Sequence, residues 1–267
     1  MVTGATAGIG REVARGLVGL GAHVVINARD PERGEAARAD LGPDAVTVLP
    51  MDVADQHSVR AFAAAVRSRH AAVDILVNNA GAWFTDRRTS ADGVELTFAT
   101  NVLGPYLLTE LLLDPLRAAP AARVVNVVSS ITGGVDLGDL QFTTRPYDGF
   151  KAYAQSKDAL RLLTWGLAED LAGTPATANA VSPGFVRTEF NRNATGARAV
   201  MINLSARLFG RSPAKGADTP LWAATDPALQ GRTGLYLDNR TEKDGGPRDP
   251  ATIAELRRRC ASVLVEA

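Results

Sequence analysis

Apolar positions along this chain alternate between two rhythms. Ile9, Val13, Leu17 and Leu20 follow an i, i+4, i+8, i+11 stripe ahead of Gly21, which predicts an amphipathic helix closed by glycine. The next apolar run, His23-Val24-Val25-Ile26-Asn27, reads as a strand. The alternation then continues to the end of the chain. Strands are predicted over Val24–Asn27, Val46–Met51, Ile75–Asn78, Val124–Val128, Ala178–Ser182 and Gly234–Leu237. Helices are predicted over Ile9–Leu20, Pro31–Leu41, Ser58–Arg69, Gly93–Leu116, Tyr153–Leu171, Pro213–Ala224 and Pro250–Leu264. Strands that alternate with helices imply a parallel sheet covered on both faces, a doubly wound α/β fold. No repeat, low-complexity tract or linker interrupts the 267 residues, so residues 1–267 are expected to form one domain.

The first loop carries candidate chemistry. Thr3-Gly4-Ala5-Thr6-Ala7-Gly8-Ile9-Gly10 runs straight into the first helix. Glycines there let the backbone turn tightly and let a pyrophosphate reach amides at the positive helix end. Loop, helix and strand follow in the order that a Rossmann dinucleotide fold requires. A second candidate is Tyr153 and Lys157, spaced to share one face of a helix. A fixed ammonium beside a phenol lowers the phenol's pKa and makes it a working acid or base nearer neutrality. Tyr147 and Lys151 repeat the spacing, but Gly149 disfavours helix there by about 1 kcal/mol.

Together, Gly4-x-x-x-Gly8-x-Gly10 and Tyr153-x-x-x-Lys157 resemble the short-chain dehydrogenase/reductase family. Asp52-Val53, Asn78-Asn79-Ala80-Gly81, Asn101-Val102, Ser129-Ser130 and Pro183-Gly184-Phe185-Val186-Arg187-Thr188 follow in family order. The long connection from Ser130 to Tyr153, with Asp139-Leu140-Gln141 inside it, is similar to the retinol dehydrogenase and WW-domain oxidoreductase branch.

That resemblance implies hydride transfer between a nicotinamide and a small-molecule carbonyl or alcohol. Tyr153 would be the general acid/base. Lys157 would lower its pKa and hold the nicotinamide ribose. Strand alternation sends Ser129 and Ser130 to opposite faces, so only one can face the site, and the family pattern selects Ser130 to orient the substrate oxygen. Asn101 would hold a relay water. Thr3, Gly4, Gly8, Ile9 and Gly10 would line the cofactor site, with Asp52 and Val53 at the adenine and Asn79, Ala80 and Gly81 beneath it. Pro183, Gly184, Val186 and Thr188 would face the nicotinamide carboxamide. The segment 189–211 would close over the substrate, with Phe190, Met201, Ile202, Leu204 and Leu208 inward. Phe142, Tyr147 and Phe150 would either line an apolar mouth or pack as core. The family's first strand sits mid-sheet, yet only Met1 and Val2 precede Thr3. A truncated first strand is therefore expected, leaving neighbours with unpaired groups at about 1–3 kcal/mol each if buried.

The second strand end selects the cofactor. An acidic residue there favours NAD, whereas Asn27-Ala28-Arg29 offers a guanidinium able to pair with a 2′-phosphate. NADP is expected, with NAD as the alternative and Asp30 as the residue that would favour it.

Composition excludes other classes. Formal net charge is zero, giving no electrostatic reason to expect nucleic acid or an anionic membrane. Arg257-Arg258-Arg259 reads as a solvated helix face. One cysteine, Cys260, forms no internal disulfide, and no apolar run approaches ~20 residues, so a cytoplasmic setting without membrane contact is expected. His23, His57 and His70 lack metal-ligand spacing. A non-catalytic nucleotide-binding regulator of the same fold is the alternative reading. The family resemblance implies a homo-oligomer joined through the helices carrying Asn101 and Tyr153, with a monomer as the alternative.

Overall fold

The computed structural model describes residues 1–187 and 210–264. Parallel strands β1 (Val24–Ala28) and β2 (Val46–Pro50) pair on one side, while β3 (Ile75–Asn78), β4 (Arg123–Val127), β5 (Thr177–Ser182) and β6 (Tyr236–Asp238) pair in order on the other. An antiparallel edge strand, β7 (Thr241–Lys243), completes the sheet. Its exposed polar residues gave no apolar rhythm to read.

Met1–Thr3 joins the two strand groups. Val2 N donates to Val25 O at 3.0 Å, Val77 N donates to Met1 O at 2.9 Å, and Thr3 N donates to Val77 O at 2.9 Å. These three residues occupy the central position, so backbone groups expected to be unpaired beside the glycine loop find partners there.

Helices cover both faces. On one lie α1 (Gly8–Gly19), α2 (Pro31–Leu41) and, later in the chain, α8 (Pro213–Thr225). Val13, Leu17, Ala37 and Ala223 pack there on Ile26, Val77, Val125 and Val181. The other face carries α3 (Gln56–Arg67), α5 (Gly104–Leu111), α6 (Leu113–Ala118) and α7 (Gly149–Asp170). Phe62, Leu107, Leu108 and Leu167 meet Val25, Leu76, Val124 and Ala178 on this side. Neighbouring strand residues thus feed opposite cores, as the period-2 geometry of a strand dictates.

Two helix predictions change. The single helix expected over Gly93–Leu116 is α4 (Leu96–Phe98), a wider π-type turn over Ala99–Leu103, then α5 and α6. Glu95 fixes the start, its carboxylate accepting from Thr97 N at 2.9 Å and Phe98 N at 2.7 Å. Helix α7 begins at Gly149 rather than Tyr153, because Asp148 caps it by accepting from Phe150 N and Lys151 N. Glycine is needed at 149 because a Cβ there would lie 1.9 Å from Phe84 O. Close tertiary approach overrides the glycine's poor helix propensity.

A last helix, α9 (Pro250–Ser262), packs on α7, one of the two helices expected to join copies of the chain. Gly166 admits it, since a Cβ there would lie 2.8 Å from Ile253 Cγ2. Arg257 pairs with Asp170, and Arg258 and Arg259 pair with Glu255.

Candidate active site

The strand ends and the start of α1 surround a cleft of about 640 Å³. Its floor is the glycine loop. Gly4 and Gly8 take φ +66° and +60°, which only glycine adopts without strain. Gly10 is held by proximity: a Cβ would lie 2.4 Å from Asn79 Nδ2 and 2.5 Å from Gly4 O. Asn79 locks the loop by donating to Thr3 O at 2.9 Å, while Thr3 Oγ1 accepts from Asn79 N and Ala80 N at 3.0 Å. Buried Asn27 holds the other side, accepting from Gly4 N at 2.8 Å and donating to Met51 O at 3.0 Å. No side chain caps α1, so its first-turn amides face the cleft at the positive end of the helix. Gly4, Gly8, Ile9, Asp52, Val53, Asn79, Ala80 and Gly81 all line this cleft. Its dimensions and its amide-rich floor fit a nicotinamide dinucleotide.

Arg29 stands at the cleft's far end with its guanidinium 3.6 Å from Asp52. Both side chains are substantially exposed, so the pair itself contributes little. Asp30 does not point to a ribose: its carboxylate caps α2, accepting from Glu32 N and Arg33 N. Arg33 also lines the cleft, a second basic side chain that the linear sequence did not single out.

The ionisable groups lie beside the cleft's Gly81, where a Cβ would come within 3.3 Å of Lys157 Nζ. Helix α7 carries Tyr153 and Lys157, and Lys157 Nζ lies 6.0 Å from the Tyr153 ring centre. That ammonium donates to Val127 O at 2.8 Å, and burial pulls it down to about 8. Tyr153 moves the other way from expectation. Burial pushes its hydroxyl above the ordinary tyrosine value, and a hydrogen bond with the Ser129 side chain acts against that rise. Lys157 was expected to lower it, yet the lysine is turned toward Val127.

The site serine is also corrected. Ser129, not Ser130, meets Tyr153, while Ser130 is exposed. The family pattern had pointed to Ser130, and the alternation that sets the two serines on opposite faces holds only in an extended strand, whereas β4 stops at Val127. Beyond it the chain bends, with Ile131 N donating to Ser129 Oγ at 3.1 Å, a local serine turn that aims the hydroxyl. Tyr236 lies behind, its hydroxyl 3.5 Å from Ser129 O.

Asn101 sits in the π-type turn, a feature frequent at functional sites. Its amide donates to Ala82 O and Ser156 Oγ at 2.9 Å, and its oxygen accepts from Ala82 N at 2.8 Å. Its side chain braces the β3 exit against α7. Gly81 lies between the two groups, since a Cβ there would be 3.3 Å from both Asn101 Oδ1 and Lys157 Nζ.

Pro183, Gly184 and Val186 follow β5. Gly184 has φ +74°. Val186 bridges to Arg211 and packs over the glycine loop, because a Cβ on Gly216 would lie 2.6 Å from Val186 Cγ2 and 3.2 Å from Ile9 Cγ1. Thr188, Phe190, Met201, Ile202, Leu204 and Leu208 lie outside the described residues, as does the expected substrate-closing segment apart from Gly210 and Arg211.

Phe142 and Tyr147 are packing residues. Their rings meet edge-to-face at 5.5 Å, and Phe142 is buried. Tyr147 donates to Glu95 at 3.0 Å and lies 3.2 Å from Thr97 Oγ1, while Lys151 is exposed.

A doubly wound parallel sheet with a glycine-rich turn at an uncapped helix start defines a Rossmann-type dinucleotide-binding fold. This chain belongs to the short chain dehydrogenase family, which matches it over residues 1–199, and it is an oxidoreductase of that family. It is 41% identical to polyprenol dehydrogenase of Mus musculus, over 97% of this chain and 80% of that protein. Retinol dehydrogenase 13 of Homo sapiens is 36% identical over 97% of this chain and 81% of its own length. Among solved structures, RhlG of Pseudomonas aeruginosa in an active-site complex with NADP is 29% identical, with TM-score 0.69 over 92% of this chain and 94% of that one. An uncharacterised protein from Mycobacterium paratuberculosis superposes with TM-score 0.78 at 30% identity, covering 98% and 91% of the two chains.

Proposed function

We propose that the protein moves a hydride between NADP(H) and the carbonyl or alcohol carbon of an apolar small molecule of isoprenoid type. One observation carries this reading: the Tyr153 hydroxyl is bonded to Ser129 on the helix that also carries buried Lys157, and Lys157 stands against Gly81 of the cleft. The substrate class rests on the similarity to polyprenol and retinol dehydrogenases.

A bound nicotinamide cofactor supplies the hydride chemistry. Tyr153, raised by burial, stays a neutral phenol near neutral pH and gives its proton to the carbonyl oxygen during reduction. In oxidation it takes that proton back. Ser129 donates to the same oxygen and fixes its direction. Lys157 is charged below about 8 and balances phenolate as it forms. Arg29 and Arg33, at the adenosine end of the cleft, suit a 2′-phosphate. The binding-only alternative is not favoured, since adenosine recognition does not call on a Tyr–Ser–Lys cluster beside the cleft.

The test is fluorescence titration with NADPH and NADH, followed by turnover of farnesol with NADP+ and of farnesal with NADPH. Tighter NADPH binding with turnover, and loss of at least about 100-fold in kcat for Tyr153→Phe at unchanged cofactor affinity, are expected. Equal activity in that variant would remove Tyr153 from the proton-transfer role.

A further inference from the structure

We propose that Asp158, together with Arg161, is a positioning residue that fixes Ser129 against the Tyr153 hydroxyl, and this rests on reading Ser129 and Tyr153 as the proton-handling pair. Asp158 follows Lys157 directly on α7. One carboxylate oxygen, Oδ2, accepts from both Gly133 N and Gly134 N at 2.8 Å. The other, Oδ1, accepts from Arg161 Nη2 at 2.5 Å, and both side chains are buried. Two consecutive amides aimed at one oxygen form a small anion-binding nest, here filled by the protein's own carboxylate.

The nest lies on the strap that leaves Ser129. Ser129 Oγ takes Ile131 N, and two residues later the strap reaches Asp158. Gly133 sits directly on the helix turn of Tyr153, where a Cβ would lie 2.8 Å from the Ala154 Cβ. Gly134 takes φ +71°. Both glycines are therefore required for the strap to reach the carboxylate. A neighbouring α7 residue continues the clamp, with Gln155 Oε1 accepting from Asp136 N at 3.1 Å and Gln155 Nε2 donating to Leu140 O at 3.1 Å.

Arg161 ties the clamp to the serine from behind. Its guanidinium lies 5.4 Å from the Tyr236 ring centre, and the Tyr236 hydroxyl reaches Ser129 O. Helix, strap and serine backbone thus close into one loop of contacts. A buried ion pair is a poor source of stability compared with apolar residues of the same volume. Its use here is geometric, because the pair holds a catalytic hydroxyl at a set place on the helix that carries its partner.

The chain has four tyrosines, so 13Cζ-tyrosine NMR gives four resonances, with Tyr153 assigned through Tyr153→Phe. Ser129→Ala sets the shift of the Tyr153 signal when the serine contact is lost. Asp158→Asn is expected to move that signal in the same direction by at least about half as much, leaving Tyr106 and Tyr147 in place. The double variant Asp158→Leu/Arg161→Leu guards against simple misfolding: it should unfold near the wild-type temperature and still shift Tyr153. A Tyr153 signal moved by Ser129→Ala but unmoved by either Asp158 variant overturns the positioning role alone. A signal unmoved by Ser129→Ala as well removes the Ser129–Tyr153 pair, and both readings fall together.

Discussion

The glycine-loop wall of the cleft and the α7 wall of side chains beside it are built on different principles. Around Gly4–Gly10 the shape is set by what is missing: side chains are excluded, and backbone amides and Asn79 fill the space. Around Tyr153 the shape is set by what is present, side chains that bond the backbone of distant segments, such as Lys157 to Val127 O and Asp158 to Gly133 N. The first wall tolerates no added atom, and the second no lost one. Substitutions that add bulk should therefore act on cofactor binding, and those that delete polar groups on turnover.

The strongest challenge to this contrast is a pair of deletions on the α7 wall. Ser129→Ala should lower kcat by about 100-fold, whereas Ser130→Ala should stay within about 3-fold, by the usual size of a single lost transition-state donor. Steady-state kinetics with NADP+ and farnesol decides it, and the opposite ranking would restore Ser130. On the loop wall, Gly10→Ala adds one methyl group where Asn79 Nδ2 and Gly4 O already stand. NADPH affinity measured by fluorescence should fall about 10-fold or more, with loss of stability of roughly 1–3 kcal/mol from overpacking. Unchanged affinity would mean that the loop relaxes freely.

A smaller effect sharpens cofactor choice. Arg29→Ala should weaken NADPH binding about 10-fold and leave NADH within about 2-fold, as expected for one charge-assisted contact to a phosphate. Equal loss for both cofactors would assign Arg29 to the shared part of the nucleotide. The smallest effect is on stability. Lys157 has a folded value of about 8 against 10.5 for the free group, because burial opposes its charge. Below about 8 it is charged in both folded and unfolded chains, and the full burial penalty applies. Stability then rises with pH from about 8 toward 10.5 as the folded lysine sheds its proton first. Lys157→Met should thus abolish turnover yet raise Tm by roughly 3 °C at pH 7, a gain that shrinks at higher pH. A gain independent of pH would mean that the ammonium is not the source.

The contrast also explains what was readable in the linear chain. The glycine loop, the helix that follows it and the strand after that are local, and each was legible from spacing within about twenty residues. Tyr153 and Lys157 were legible for the same reason, being one helical turn apart. Ser129 was not, because the family pattern pointed to its neighbour, and the bend that aims its hydroxyl follows the end of β4, where Val127 pairs with Val181. Asp158 carried no signal at all, since its partners lie twenty-five and twenty-four positions away in a strap of no regular structure. Arg33 drew no notice until the fold set it at the same cleft as Arg29.

By itself, then, the sequence determined the alternation of strands and helices, the doubly wound class and the two local motifs, because hydrophobic period and glycine geometry are short-range properties. Tertiary structure alone decided which serine faces Tyr153, which way the tyrosine and lysine titrations move, and that Asn101 braces Ala82 against Ser156. Those depend on burial and on hydrogen bonds between segments far apart in the chain, which no local spacing encodes.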